Sequence, residues 1–139
     1  MAERRGRPFL DTNVLLYLLS GERARADRAE ALLSRRGVIS VQVLNELASV
    51  ATRRLGLSWR ELGELLQAVR ASCTVHPLTE EVHDHARELA ERYRLSFYDA
   101  VIVSSALFAG CRVLYSEDMQ NGLKIDRSLT VVNPFTAPA

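Results

Sequence analysis

The sequence predicts an α/β fold: a central, mostly parallel sheet of about five strands with helices on both faces. Two observations predict it. Short apolar runs bounded by turn residues alternate with longer runs whose apolar residues recur at i, i+3/i+4 and i+7. In addition, four acidic residues far apart in the chain, Asp11, Glu46, Asp99 and Asp118, each stand close to where a predicted strand gives way to a helix or loop. Ligands of parallel sheets bind at the carboxyl ends of the strands. The four acids could therefore meet on one edge of the sheet.

The elements follow in order. Pro8-Phe9-Leu10 reads as a first strand, and Asn13–Leu19 is apolar up to the stop signal Ser20-Gly21. Glu22–Arg36 carries Ala29, Leu32 and Leu33 at helical spacing, with Gly37 as its terminator. Val38-Ile39-Ser40 is a second buried strand. From Val41 to Leu55 the stripe Val43, Leu44, Leu47, Val50 and Ala51 predicts a helix closed by Gly56. Ser58-Trp59-Arg60-Glu61 is a capping box that opens a helix through about Ala71. Thr74–Leu78 alternates like a third strand. Thr79 caps a helix running to about Tyr93, and Ser96 opens a strongly apolar helix, Phe97–Ala109, ended by Gly110. Arg112–Tyr115 and Leu129–Val132 are the fourth and fifth strands, and an Asn-Pro-Phe-Thr-Ala-Pro-Ala tail closes the chain. There is no repeat or low-complexity segment.

A chain of 139 residues predicts one domain, residues 1–139, large enough to bury a core without staples. No apolar run reaches the ~18 residues of a membrane span. The start, MAERRGRPFLDTNVLLYLL, is basic and then apolar, but Asp11 and Asn13 interrupt the apolar part and no clean cleavage site follows. A signal peptide is rejected, and a cytoplasmic location with no membrane partner is expected. Cys73 and Cys111 form no Cys-x-x-Cys pair and border apolar runs, so buried thiols are expected.

All of the 18 basic residues except Lys124 are arginine. With four of the 17 acids neutralised by a cation, 13 remain against 18 bases, a balance of +5 that suits phosphate ligands. An arginine-favouring, GC-rich genome would give the same bias, and composition does not choose between the two.

Each acid has a plain alternative. Asp11 can be a helix N-cap, although Asn13 places a second polar residue in the same apolar run. Glu46 can face solvent beside Asn45 and Ser49. Asp99 forms Ser-x-x-Asp with Ser96, a capping-box pattern, yet a carboxylate can cap and coordinate together. Asp118 lies beside Glu117 in a loop, and one of these two can be plain surface. Taken together, carboxylates near apolar surroundings call for a compensating charge. Other chemistries lack their residues. His83 and His85 lie two apart on a predicted helix, and neither they nor His76 has zinc-ligand spacing with a cysteine. No Gly-rich phosphate loop, Gly-x-Ser-x-Gly elbow or Gly-x-Gly-x-x-Gly is present. An all-carboxylate site selects a hard cation, Mg²⁺ or Mn²⁺, which polarises phosphoryl oxygens and activates water. Phosphodiester hydrolysis is the natural reaction class.

Four motifs in order, Leu10-Asp11-Thr12-Asn13-Val14-Leu15, Val43-Leu44-Asn45-Glu46-Leu47, Leu95-Ser96-Phe97-Tyr98-Asp99-Ala100 and Leu114-Tyr115-Ser116-Glu117-Asp118-Met119-Gln120-Asn121-Gly122, resemble the PIN-domain ribonucleases, and among them the VapC-type toxins of bacterial toxin–antitoxin pairs. The resemblance spans about Phe9 to Pro134. It implies a PIN-like three-layer sandwich and metal-dependent cleavage of single-stranded RNA. It also implies a homodimer and inhibition by a cognate antitoxin whose tail fills the groove. Asp11, Glu46, Asp99 and Asp118 match the family's acidic quartet, with Asn13 and Ser116 at supporting polar positions.

On this expectation Asp11 and Asp99 hold the principal Mg²⁺ (or Mn²⁺), and Glu46 and Asp118 complete the pocket directly or through water. Asn13 orients an Asp or a water, and Ser116 fixes the end of the fourth strand. Glu117 is an extra acid beside Asp118. One rival is a non-catalytic PIN-like module that binds RNA or protein. A haloacid-dehalogenase phosphatase would want an Asp where Asn13 stands. A receiver domain would want an acidic pair at the end of the first strand and a late Lys, but Asp11 is followed by Thr12 and Lys124 is the only lysine. The helical pair from Val41 to Ala71, with Trp59, suits ordinary core packing for most of its apolar residues. An amphipathic antitoxin helix lying in a groove there is the sharper reading.

Overall fold

The computed structural model describes residues 6–136. The first five residues, which hold part of the basic start weighed in the signal-peptide argument, and the last three residues of the tail lie outside them. Strand β1 (Phe9–Leu10) leads into helix α1 (Thr12–Leu16) and a 3₁₀ turn over Tyr17–Leu19. Then follow α2 (Arg23–Leu33), β2 (Val38–Ser40), α3 (Val41–Arg53), α4 (Trp59–Ser72) and β3 (Thr74–His76). Helices α5 (Glu80–Tyr93) and α6 (Phe97–Phe108) precede β4 (Val113–Tyr115), β5 (Lys124–Ile125) and β6 (Leu129–Val132).

The sheet has six strands in the order β3-β2-β1-β4-β6-β5. All neighbours are parallel except β5, which pairs antiparallel with β6 through Lys124↔Thr130 and Ile125↔Leu129. This is the predicted mostly parallel α/β sheet with one strand more than the five expected. Strand β1 is central. The chain first builds outward on one side through β2 and β3 and then crosses to the other through β4. Strand order therefore reverses between β1 and β4, the place where open α/β sheets form a crevice at their carboxyl ends.

Burial explains why these runs became strands. Phe9, Leu10, Ile39, Leu114 and Val131 are inaccessible to solvent, as expected for strands covered on both faces. Helix α6 buries Ala100 to Ala106 without interruption, because it packs between α5 and the sheet. Its small residues Ser104 and Ser105 allow that approach. Caps set the helix starts: Ser40, Ser58, Thr79 and Ser96 each accept a backbone N–H three residues on, and Ser58 with Glu61 completes the expected box.

Two expectations change. The third strand stops at His76 rather than Leu78, because Pro77 has no N–H for the ladder. Helix α2 ends at Leu33, and the left-handed turn falls on Arg36 (φ 55) rather than on Gly37. Gly37 serves a different need: a Cβ there would come within 2.7 Å of the Pro8 carbonyl oxygen, so glycine permits β2 to start against β1. Among the described residues no helix is long and apolar enough to cross a membrane. Cys111 is buried, and burial pushes the half-buried Cys73 thiol up to about 11.

Candidate functional site

Asp11 follows β1 and caps α1: its Oδ1 accepts the Thr12 amide at 2.7 Å. The N-cap role and the site position thus coincide in one carboxylate. Its backbone is held from the other side of the sheet's switch point, with the Asp11 N–H donating to the Tyr115 carbonyl of β4 at 3.0 Å. Oδ2 accepts the Ser116 hydroxyl at 2.8 Å and the Asn13 amide at 3.2 Å.

Asn13 and Ser116 tie the ends of β1 and β4 together. The Asn13 Nδ2 also donates to Asp118 Oδ2 at 3.1 Å, and its Oδ1 accepts the Glu117 backbone N–H at 3.0 Å. The buried Ser116 hydroxyl receives the Asp118 and Met119 amides at 3.3 and 3.4 Å, which curls the chain after β4 and turns Asp118 inward. Glu117 points elsewhere. It accepts the Tyr17 hydroxyl at 2.6 Å and forms an ion pair with Arg25, both of which hold its carboxyl below the usual range. Arg25 in turn lies over the rings of Tyr17 and Phe135. The two neighbouring acids are therefore separated by geometry: Asp118 lines the pocket and Glu117 belongs to a neutralised surface cluster.

Glu46 is half-buried on α3 and does not project freely beside Asn45 and Ser49. It accepts the Thr12 hydroxyl at 2.7 Å and the Gln42 amide at 3.2 Å. Asp99 sits in the first turn of α6, where its amide is capped by Ser96 at 3.2 Å. Asp11, Glu46, Asp99 and Asp118 line one pocket of about 300 Å³, together with Thr12, Asn13, Leu16, Ser49, Val50 and Arg54. Thr12, Gln42 and Arg54 did not emerge from the sequence. Gln42 lies one turn before Glu46, a spacing that could have suggested the contact. The Thr12 contact depends on how α1 packs against α3, and the sequence carries no signal for it.

The electrostatics are those of an uncompensated anionic pocket. Burial pushes Asp11 up to about 7; hydrogen bonds from Ser116 and Thr12 pull against this, and the charges of Glu46 and Asp99 add to it. Asp99 is also raised, first by burial and then by the charges of Asp118 and Glu46, with partial relief from Ser96. Every hydrogen-bond donor to Asp11 is neutral. A cation in this pocket would stabilise the ionised form, and an all-oxygen donor set suits a hard one. Among the described residues, no three His, Cys, Asp or Glu side chains are arranged to hold a metal ion by themselves. Mg²⁺ is compatible with that, since it keeps several waters and is commonly bound through one or two carboxylates. Asp11 and Asp99 are both held above the ordinary carboxylate range, and positive charge nearby would favour their ionised forms.

The chain is similar in structure to a toxin–antitoxin complex from Klebsiella pneumoniae, with 21% identity over 94% of this chain and 99% of that one and a TM-score of 0.71. It is similar to VapC20 of Mycobacterium tuberculosis, a toxin that cleaves the sarcin–ricin loop, with 24% identity over 80% and 89% of the two chains and a TM-score of 0.65. It is also similar to FitAcB from Neisseria gonorrhoeae, with 17% identity, 94% and 99% coverage and a TM-score of 0.66. At these identities the likeness is one of fold. No curated protein matches the chain. The PIN domain family model, however, matches residues 9–121, from β1 through the loop that carries Asp118. With most of its length inside that match and its sheet reversing at the acidic pocket, the chain belongs to the PIN domain family.

Proposed function

We propose that this chain is a Mg²⁺- or Mn²⁺-dependent endoribonuclease that hydrolyses RNA phosphodiesters as the toxin of a VapBC-type toxin–antitoxin pair. The observation that carries the reading is the pocket itself: four acids from four separate segments, joined by neutral donors, at the switch point of a PIN domain. A hard divalent cation, if bound there, would polarise a phosphoryl oxygen and activate a water. Asp11 and Asp99 would be its direct ligands, and Glu46 and Asp118 would complete the pocket directly or through water. Thr12 and Gln42 orient Glu46, while Asn13 and Ser116 orient Asp11 and Asp118, as outer groups do around a metal.

The toxin role is supported by the neighbours in structure, several of which are complexes with antitoxins. A homodimer and a cognate antitoxin are the proposed protein partners. The exposed Leu55 and Trp59, where α3 turns into α4, offer apolar surface to an antitoxin helix.

A second reading, a PIN-like module that binds without cutting, is favoured by one observation: the acids do not by themselves form a complete ligand set. A ribonuclease assay decides. Purified chain should cut RNA with Mg²⁺ or Mn²⁺ and not with EDTA, and Asp11→Asn or Asp99→Asn should abolish cutting in a folded protein. RNA binding without cleavage under every divalent ion would establish the second reading. Growth arrest on expression, relieved by the protein encoded in an adjacent small reading frame, tests the toxin role.

A further inference from the structure

Arg54 is the one cationic side chain lining the acidic pocket among the described residues, and its setting is unusual. It shares that pocket with four carboxylates, yet it forms no salt bridge with any of them. The charges that act on Asp11 and Asp99 are those of other acids. Arg54 therefore does not neutralise the pocket. Arg54 is exposed, and a guanidinium carries only donors, which suits an anion.

Its backbone is fixed. Arg54 is the C-cap of α3, with its N–H donating to the Val50 carbonyl at 2.9 Å. The helix is anchored at the other end by the Ser40 cap and along its length by buried Val43, Leu47 and Ala51. A cation at a helix C-terminus is also favoured by the dipole. Glu46 and Arg54 are eight residues apart, so their backbones are about 12 Å apart along the α3 axis. The pocket thus has an acidic end and a cationic end displaced along the same helix.

We infer that Arg54 is a positioning residue that grips a backbone phosphate flanking the scissile one and so aligns a single RNA strand along α3 toward Asp11 and Asp99. This rests on the ribonuclease reading above and extends it to the path of the substrate. Guanidinium suits the role because it can donate two parallel hydrogen bonds to one phosphate. Because the contact lies away from the reacting atoms, it strengthens ground-state and transition-state binding alike and should act on KM rather than kcat.

The test is steady-state cleavage of a short fluorogenic RNA oligonucleotide in Mg²⁺ over a series of salt concentrations. It compares wild type, Arg54→Ala, Arg54→Lys and, as a control, Arg60→Ala, whose side chain is 90% exposed outside the pocket. Arg54→Ala should raise KM by roughly tenfold or more with kcat within about twofold, since a charge-assisted contact is worth that much. The slope of log KM against log salt should fall by about 0.7, the value for one phosphate contact on a single strand. Arg54→Lys should restore the slope and only part of the affinity. An unchanged KM and slope in Arg54→Ala, a loss confined to kcat, or an equal effect from Arg60→Ala overturns the proposal while leaving the ribonuclease reading intact. Wild-type protein that neither binds nor cuts RNA overturns that reading, and this proposal falls with it.

Discussion

Replacing Asp11 by Asn should make the protein more stable and inactive at once. Asp11 is almost fully buried, and its carboxyl is raised from 3.8 to about 7. Because the folded-state value is raised, the folded protein binds the proton more tightly than the unfolded chain. The stability this contributes is fully present below pH ~4 and is lost as pH rises through ~7. Relative to a carboxyl that stays neutral, burying Asp11 costs about 4 kcal/mol at pH 8 and about 2 kcal/mol at pH 5. Asn keeps the shape and can still accept the Thr12 amide. It gives up acceptance from Ser116 and Asn13, a loss of about 1–2 kcal/mol. The net gain is about 2–3 kcal/mol at pH 8 and close to zero at pH 5. For a chain of this length that is about 6–10 °C in Tm at pH 8. Thermal unfolding followed by circular dichroism in EDTA at the two pH values measures it. Adding Mg²⁺ at pH 8 should then raise the Tm of wild type and leave Asp11→Asn where it was. A variant less stable than wild type at pH 8 in EDTA, or equally stabilised at both pH values, would refute the uncompensated-charge argument.

Three further outcomes follow from other contacts. Asp118→Asn should lower Mg²⁺-dependent RNA cleavage at least tenfold, whereas Glu117→Gln should leave kcat/KM within about threefold, because Glu117 faces Tyr17 and Arg25 instead of the pocket. Steady-state kinetics on one oligonucleotide separates them, and a reversed order would reassign the fourth acid. Ser105→Ala should raise stability by about 1 kcal/mol in denaturant titrations, because the Ser105 hydroxyl is buried with no hydrogen-bond partner. Its neighbour Ser104→Ala should instead destabilise, since Ser104 donates to the Val82 carbonyl at 2.9 Å and joins α6 to α5.

Local signals in the sequence were sufficient where an element is defined by its own residues. Ser58 and Glu61 announce their helix because the capping box is complete within four residues. Phe9-Leu10 and Val38-Ile39 read as strands because both faces are covered and no polar residue interrupts them. Strand β5 escaped because only one of its two residues, Ile125, is apolar, and Lys124 is exposed at the sheet edge. Its pairing depends on the left-handed turn at Asp126 and Arg127, which no glycine marks. The site divides the same way. Asp11 and Asp99 stand at helix starts that local pattern can find. The setting of Glu46 depends on Thr12, thirty-four residues away, and that of Asp118 on Asn13 across 105 residues. Those contacts follow from β1 lying between β2 and β4, a strand order that periodicity does not encode.

The same strand order explains why a destabilising carboxylate is tolerable. Asp11 satisfies the first turn of α1 and, through its backbone N–H, extends the pairing of β1 with β4. Ser116 and Asn13 donate to it from both sides of the switch point, so its orientation is fixed by groups the fold needs in any case. Those donors are neutral and therefore orient the charge without cancelling it. An arginine in their place would have compensated the charge. Glu117 demonstrates the contrast one residue away from Asp118: it has Arg25 and Tyr17, its carboxyl is held low, and it contributes nothing to the pocket. Within a single turn after β4 the chain thus separates an acid that is paired outside the pocket from an acid that lines it. The partner each one faces, rather than its residue type, makes the difference.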